Sequence, residues 1–231
     1  TVSDTAVFGK SHDISNNTTN SLISGNTNKE NNGTNNVTFG EENKSYRSKN
    51  DIVGGKNNMS YDSSKNAVFG EANQLYNMGS SVISGKNITT IDSNRNAIIG
   101  MVHDVSENTI NSIVGGNNNK VGKGENNMSI GNSNVLYNTK NTIGGGQGNS
   151  VSNSLNTTLN GKTNVLNNVE EGLIIGDTNI LNNDKRPVVF GINNNVSGNS
   201  TNVLILGREN VETSGTRTTM LGYKNTNTSA I

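Results

Sequence analysis

A glycine recurs along this chain at a nearly fixed spacing, and that spacing limits the possible folds more than any other feature. Of the fourteen steps between these glycines, eleven are fifteen residues long and three are sixteen. The repeat glycines are Gly9, Gly25, Gly40, Gly55, Gly70, Gly85, Gly100, Gly116, Gly131, Gly146, Gly161, Gly176, Gly191, Gly207 and Gly222. Self-similarity over a whole chain indicates a repeat architecture in which each unit stacks on the next.

Each repeat has a short apolar segment that ends at the glycine, such as Ala67–Phe69 before Gly70, followed by a polar run. Fifteen residues are too few for a helix pair but fit a coil of two short strands of about four residues joined by two turns. A second apolar residue stands five positions after the glycine in nine coils. These residues are Ile14, Leu75, Val105, Val121, Leu136, Val151, Leu166, Leu181 and Val196. We therefore predict an all-β solenoid of about fifteen coils that forms one domain over residues 1–231.

Asparagine stands three positions after the repeat glycine in twelve coils, for example at Asn58 and Asn73. Glycine adopts positive φ without steric cost, and asparagine tolerates the left-handed region better than most residues. The Gly-x-x-Asn spacing therefore predicts a tight corner in each coil. Stacked asparagine side chains are also expected to hydrogen bond from coil to coil.

Composition excludes several classes of function. Only 29% of the residues are hydrophobic, no tryptophan or cysteine is present, and the formal net charge is zero. The absence of cysteine rules out disulfides and thiolate chemistry, and the balanced charge argues against broad nucleic-acid binding. No apolar run approaches the ~20 residues that span a bilayer. We expect no cofactor. Because the repeat runs to both ends of the sequence, we interpret the chain as a segment of a longer protein.

A longer period of 91 residues, or six coils, overlies the short one. Gly33, Gly124 and Gly215 lie 91 apart, and so do the glycines that open the three sixteen-residue coils. His12 and His103 follow the same period and stand at the asparagine corner position. A metal or acid–base role for these histidines is one hypothesis. We favour the simpler interpretation that histidine replaces asparagine there, so no metal site is predicted.

The first strand is apolar on both faces. Val68 and its equivalents, Val7 among them, are assigned to the interior, so their neighbours point outward. Those outward residues alternate in size: Phe69 is large where Gly54 is small. Such volume compensation matters only where side chains interdigitate, and a strand that is apolar on both faces is buried on both. We therefore predict an obligate oligomer.

The phased segments NAVFG, NAIIG, NMSIG and SVISG resemble the head repeats of trimeric autotransporter adhesins, the YadA-like head. The resemblance covers residues 5–226 and implies a left-handed parallel β-roll, three of which pack around a threefold axis. It implies a bacterial cell-surface adhesin, held in the outer membrane by a C-terminal anchor that this chain lacks together with the neck and stalk. The implied trimer-interface residues are Phe8, Phe39, Phe69, Ile99, Ile130, Ile175 and Phe190.

The sequence departs from the family in being unusually rich in asparagine and in placing phenylalanine before the glycine. Its composition, rich in asparagine, lysine and isoleucine, further resembles that of adhesins of AT-rich anaerobes, some of which bind host CEACAM receptors. The implied partners are therefore a host cell-surface protein, such as a CEACAM-family receptor, or extracellular matrix.

Two other functions are known for β-solenoids. A β-solenoid enzyme acting on polysaccharide needs a cleft with clustered carboxylates. The uniform coils leave no insertion for a cleft, and the acid pairs Glu41–Glu42 and Glu170–Glu171 are expected to be solvated corners. An ice-binding solenoid needs threonines in phase, which this chain lacks. We predict that the chain is not an enzyme.

One outward column stands out on the second strand. Six residues after the glycine lie Tyr46, Tyr61 and Tyr76 in successive coils, followed by Ile91. Arg47 and Asn77 stand just beyond this column. Stacked tyrosines can stabilise a sheet, but tyrosine is also favoured at interfaces. These six residues are the predicted receptor-binding site, with Tyr61 as its centre.

Overall fold

The computed structural model describes residues 1–228. They form an all-β parallel solenoid of about fifteen coils, and they include no helix. The chain divides into two compact units, Thr1–Asn117 and Asn118–Ile231. Each unit contains two parallel sheets, one of five-residue strands and one of shorter strands. We call these the long and the short strands.

In the first unit each long strand pairs in parallel with the long strand of the next coil, and the short strands pair likewise. The long strands are Ala6–Lys10, Leu22–Asn26, Val37–Glu41, Ile52–Lys56, Ala67–Glu71, Val82–Lys86, Ala97–Met101 and Ile113–Asn117. The short strands are Asp13–Ser15, Lys29–Asn31, Lys44–Tyr46, Met59–Tyr61, Gln74–Tyr76, Thr89–Ile91 and Asp104–Ser106. A further two-residue strand, Val2–Ser3, pairs with Thr18–Thr19.

The second unit repeats this arrangement. Its long strands are Met128–Asn132, Ile143–Gln147, Thr158–Lys162, Leu173–Asp177, Val188–Ile192, Leu204–Arg208 and Thr219–Tyr223. Its short strands are Lys120–Gly122, Val135–Tyr137, Ser150–Ser152, Val165–Asn167, Ile180–Asn182, Asn195–Ser197, Val211–Thr213 and Thr226–Asn227.

The coil has a third side, which the prediction of two strands and two turns missed. Single residues form a ladder of parallel bridges there, such as Thr34 with Lys49 and then Lys49 with Ser64. The second unit has the same ladder, from Glu125 to Thr216. This side escaped detection because its one paired residue per coil leaves no period-two pattern in the sequence.

Three corners with positive φ turn each coil. Within the coil that follows Gly55 they lie at Asn57 (φ 57°), Asp62 (φ 51°) and Lys65 (φ 61°). The predicted corner residue, Asn58, is not among them, so the left-handed residue is the one before the asparagine. The prediction was wrong about which residue turns the chain.

The asparagines instead form a hydrogen-bonded ladder in each unit, as predicted. Asn43 Oδ1 accepts the backbone N–H of Asn58 at 3.0 Å, and Asn58 Oδ1 accepts that of Asn73 at 3.0 Å. The Nδ2 group of Asn58 donates to the carbonyl oxygens of Gly54 and Gly70, both at 2.8 Å. In the second unit the ladder runs from Asn119 to Asn225. Asn58 thus supplies polar partners to three backbone groups.

The interior of a coil is a narrow column of five side chains. After Gly55 these are Asn58, Ser60, Ser63, Asn66 and Val68, all at most 2% exposed. The predicted inward residues of the first and second strands are buried, apart from those at the first coil. There Val7 is 44% exposed and Ile14 is half-buried, because the long strand of that coil has a neighbour on one side only.

Candidate interaction surfaces

The outward side chains of the long strands form an exposed apolar surface in each unit, which we call the apolar stripe. In the first unit these residues alternate between the two outward positions before the repeat glycine. They are Phe8, Leu22, Phe39, Ile52, Phe69, Val82, Ile99 and Ile113, each at least 37% exposed. The predicted alternation in size is therefore present on a surface that no other part of residues 1–228 covers.

The alternation has a direct steric basis. A Cβ placed on Gly54 would overlap the ring of Phe39, the residue paired with Gly54 on the neighbouring strand. Phe39 and Phe69 then approach each other across Gly54, with ring centroids 6.4 Å apart. The small residue in one coil thus makes room for the large residues on either side.

In the second unit the apolar stripe contains Ile130, Ile143, Ile175, Phe190, Leu206 and Leu221. The strand Thr158–Lys162 interrupts it, because its outward residues are Thr158 and Asn160. All seven predicted trimer-interface residues lie on the stripe and are exposed in the single chain. Their contact with other copies stays a prediction.

The tyrosine column lies on the outer face of the short strands, as predicted. Tyr46, Tyr61 and Tyr76 pair in register, and Ile91 follows Tyr76. Successive ring centroids are 6.2 Å and 6.1 Å apart, with the ring planes tilted by about 50°. The three rings are half-buried, while Ile91 is exposed.

Arg47 is held against this column. Its guanidinium lies 4.5 Å from the centroid of the Tyr61 ring and forms a two-pronged ion pair with Asp62, with Nε–Oδ1 and Nη2–Oδ2 distances of 2.7 Å. It also donates to the Tyr61 hydroxyl. One part of the Tyr61 surface is therefore covered by Arg47, which the sequence could not show. Tyr46 and Tyr76 lie on either side of Tyr61 in the column.

Asn77, the sixth predicted residue, donates to Asp92 Oδ1 at 2.7 Å. A shallow groove runs beside the tyrosine column, lined by Glu42, Lys44, Asn57, Met59 and Gln74. Glu42 and Asn57 lie at corners, and the other three occupy the second outward position of the short strands. Sequence reasoning missed the groove because no residue type recurs at that strand position. The structure thus brings the predicted residues together on one face.

The histidines take the place of asparagine. His12 Nε2 lies 2.9 Å from the carbonyl oxygen of Phe8 and His103 Nε2 lies 3.2 Å from that of Ile99. Asn28 Nδ2 makes the equivalent bond to Ser24 O at 2.7 Å. Among residues 1–228 no group of three or more histidine, cysteine, aspartate or glutamate side chains is placed to hold a metal ion.

Four carboxylates lie inside the coils, which sequence reasoning did not anticipate: Glu30, Asp51, Asp184 and Glu212. A Cβ on Gly33 would overlap the Glu30 carboxylate, and one on Gly215 would overlap that of Glu212. Two of the glycines with the 91-residue period thus make room for buried glutamates. A glutamate three residues before such a glycine is the signal that could have revealed them.

Burial raises the pKa of three of these acids, Glu30, Asp51 and Asp184. Removal from water raises the pKa of Glu30, although Ser21 and Asn36 donate hydrogen bonds to its Oε1. Burial likewise raises the pKa of Asp51. For Asp184, burial raises the pKa to about 6, against the backbone N–H groups of Asn182 and Ser200 that donate to the carboxylate.

The surface acids, in contrast, are paired with lysines of adjacent coils. Glu41 contacts Lys56 at 3.2 Å, and Glu170 contacts Lys185 at 3.0 Å. Glu42 and Glu171 are exposed at corners with positive φ. The prediction of solvated corners holds for Glu42 and Glu171 only, because Glu41 ends a long strand and Glu170 is a half-buried bridging residue of the third side.

No protein-family model matches the chain, and no curated protein matches it. Among solved structures the chain is similar to a protein from Desulfovibrio desulfuricans G20 described as an acetyltransferase. The identity is 8%, the match covers 94% of this chain and 68% of that chain, and the TM-score is 0.27. A likeness this weak carries no argument about activity. Within residues 1–228 no helix is long and apolar enough to cross a membrane.

Proposed function

We propose that this chain is the head of a homotrimeric bacterial surface adhesin, with the copies packed through their apolar stripes as left-handed β-rolls around a threefold axis. The exposed apolar stripe carries this proposal. Soluble monomers seldom leave a contiguous apolar surface of this kind uncovered. Because the Phe39 ring lies over Gly54, the stripe has projecting and recessed positions. Side chains of a partner can interdigitate with such a surface.

The ligand-binding part of the proposal places a host receptor or matrix ligand on the tyrosine column and the adjoining groove. The Arg47–Asp62 pair holds polar groups in fixed positions beside aromatic surface, which suits a hot spot of binding. A receptor of the CEACAM family is one candidate, on the strength of the family resemblance. The protein would act at the bacterial surface, held in the outer membrane.

We further propose that the chain has no catalytic activity and works without a cofactor. The adjacent acid pairs that an enzyme acting on polysaccharide would need are engaged with lysines or lie at exposed corners. The two histidines are engaged with backbone carbonyls.

Light scattering coupled to size exclusion tests the assembly, with an expected mass of three 24.4 kDa chains. Phe69→Asp should dissociate or unfold the trimer, because each copy would bury an unpaired charge. Gln74→Asp, on the exposed outer face of the short strands, is the matched control and should leave the mass unchanged. A folded parent protein with the mass of one chain at micromolar concentration would refute the assembly.

Binding to host cells tests the ligand site. Tyr76→Ala should weaken binding by at least ~2 kcal/mol, or roughly thirtyfold, if the column is a hot spot. Tyr61→Ala should do the same but also releases Arg47, so Tyr76 gives the cleaner test. Tyr137→Ala removes the tyrosine at the equivalent place one 91-residue block later and is the control. If both Tyr76→Ala and Tyr61→Ala bind host cells as well as the parent does, the receptor site is not on the tyrosine column.

A further inference from the structure

Asn160 occupies a place in the apolar stripe where the size alternation of the preceding coils predicts a large apolar side chain. The coils after it carry a large residue every time, at Ile175, Phe190, Leu206 and Leu221. In the outward position just before the repeat glycine, Ile130 is large and Gly145 is small, so the next coil should be large again. Asn160 stands there instead. Its strand neighbours are Gly145 on one side and Ile175 on the other.

The amide of Asn160 lies over Gly145. A Cβ on Gly145 would be 3.6 Å from Asn160 Oδ1, an ordinary contact distance. The side chain therefore extends along the stripe and remains exposed in the single chain. Thr158 on the same strand is also polar and exposed. This coil thus places an amide in the middle of an apolar surface.

The alternation in size does not by itself define one alignment of two copies. In the first unit the large residues before the repeat glycine are Phe8, Phe39, Phe69 and Ile99, one every second coil. If one copy shifted by two coils, about 10 Å at the strand spacing, its large residues would again meet large residues of the other copy, as they do without the shift. A periodic apolar stripe is therefore open to staggered pairing.

We propose that Asn160 fixes the axial register in which copies of this chain assemble. The inference rests on the proposed homotrimer and identifies a specificity-determining residue within it. In a symmetric trimer the three Asn160 side chains lie at one height and satisfy one another by hydrogen bonds. In an assembly staggered by two coils, Asn160 faces Ile130 or Phe190 and its amide is left unpaired. A single buried asparagine sets register and oligomer state in helical assemblies by the same physics.

The test replaces Asn160 with leucine, a side chain of similar size without the amide, and compares Asn195→Leu. Asn195 is exposed on the outer face of the short strands, where the preceding coil carries Ile180 and the following coil Val211. Light scattering measures the mass, and methyl NMR follows Ile130, Ile143 and Ile175 on the stripe. A symmetric in-register trimer gives one methyl resonance for each isoleucine.

For Asn160→Leu we expect these resonances to split and masses above three chains to appear, since staggered copies leave unpaired coils that recruit further copies. Asn195→Leu should behave as the parent. If Asn160→Leu gives a sharp three-chain mass and unsplit resonances, the role of Asn160 is overturned while the trimer stands. A monomeric parent would overturn the trimer and the register role together.

Discussion

Asp51 Oδ1 accepts the backbone N–H of Asn66 at 2.9 Å, one step in a second ladder inside the first unit. Asn36 Oδ1 accepts the N–H of Asp51 at 2.9 Å, and Asn66 Oδ1 accepts that of Ser81 at 2.9 Å. Asp51 therefore stands in a position that its neighbours fill with asparagine. The carboxylate accepts the same backbone hydrogen bond as the asparagine amides, but it also places a charge in the interior.

Asp51→Asn should therefore stabilise the protein at pH 7. The new amide oxygen retains the bond from Asn66, and the amide nitrogen can donate as Asn36 Nδ2 does to Ser48 O, while the cost of a buried charge is removed. We expect the free energy of unfolding to rise by on the order of 1 kcal/mol. Denaturant unfolding at pH 7 measures this change. A destabilised variant would show that the bond from Ser60 to the carboxylate outweighs the charge.

Acidification should stabilise the parent protein. The folded-state pKa of Asp184 is raised from 3.8 to about 6 by burial, so between these values the folded state binds more protons than the unfolded state. The contribution of Asp184 to stability is then fully present below about pH 4 and is lost as the pH rises through 6. Thermal melts between pH 4 and pH 7 check this direction. Asp184→Ser, which installs the residue found 91 positions earlier at Ser93, should flatten the profile in this window.

The repeat glycines should not tolerate a side chain. Gly70 has a φ of 118°, and a Cβ there would overlap the carbonyl oxygen of Gly85 in the next coil. Gly70→Ala should cost roughly 3 kcal/mol or more, because strain and overlap add. Gly115→Ala is the control, since a Cβ there meets only the Ile99 carbonyl oxygen at 3.9 Å. Equal unfolding midpoints for the two variants would contradict the steric account.

The asparagine ladder should dominate local stability. Asn58→Ala removes the partners of the Asn73 N–H and of the Gly54 and Gly70 carbonyls. Leaving buried groups unsatisfied should cost roughly 3 kcal/mol in total. Asn195→Ala, at an exposed outward position, should change stability by less than about 0.5 kcal/mol. Hydrogen exchange would localise the loss, with Asn73 N–H becoming unprotected in Asn58→Ala.

The sequence was informative where one residue type recurs for one reason. The repeat glycines, the asparagine ladder and the alternation seen at Phe39 and Gly54 follow from the spacing alone. Features that depend on single residues were not accessible. The third side of the coil has one bridging residue per turn, and its residues differ from coil to coil, as at Lys49 and Gly79.

The candidate site was predicted in outline only. Alternation along the short strand correctly turned Tyr46, Tyr61 and Tyr76 outward, since neighbouring residues on a strand face opposite ways. The covering of Tyr61 by Arg47 depends on the rotamer of a long side chain and on Asp62 in the next coil. Sequence spacing does not determine such a contact.

The sixteen-residue coils all lengthen at the same corner. The added residue gives two consecutive positive-φ residues after the short strand, at Asn16–Asn17, Glu107–Asn108 and Gly198–Asn199. The strands on either side keep their pairing: Gly191 still aligns with Gly207. Growth at this corner leaves the hydrogen-bonded ladders undisturbed, so an engineered peptide spliced in at Asn199 should be displayed on the surface without cost to the fold.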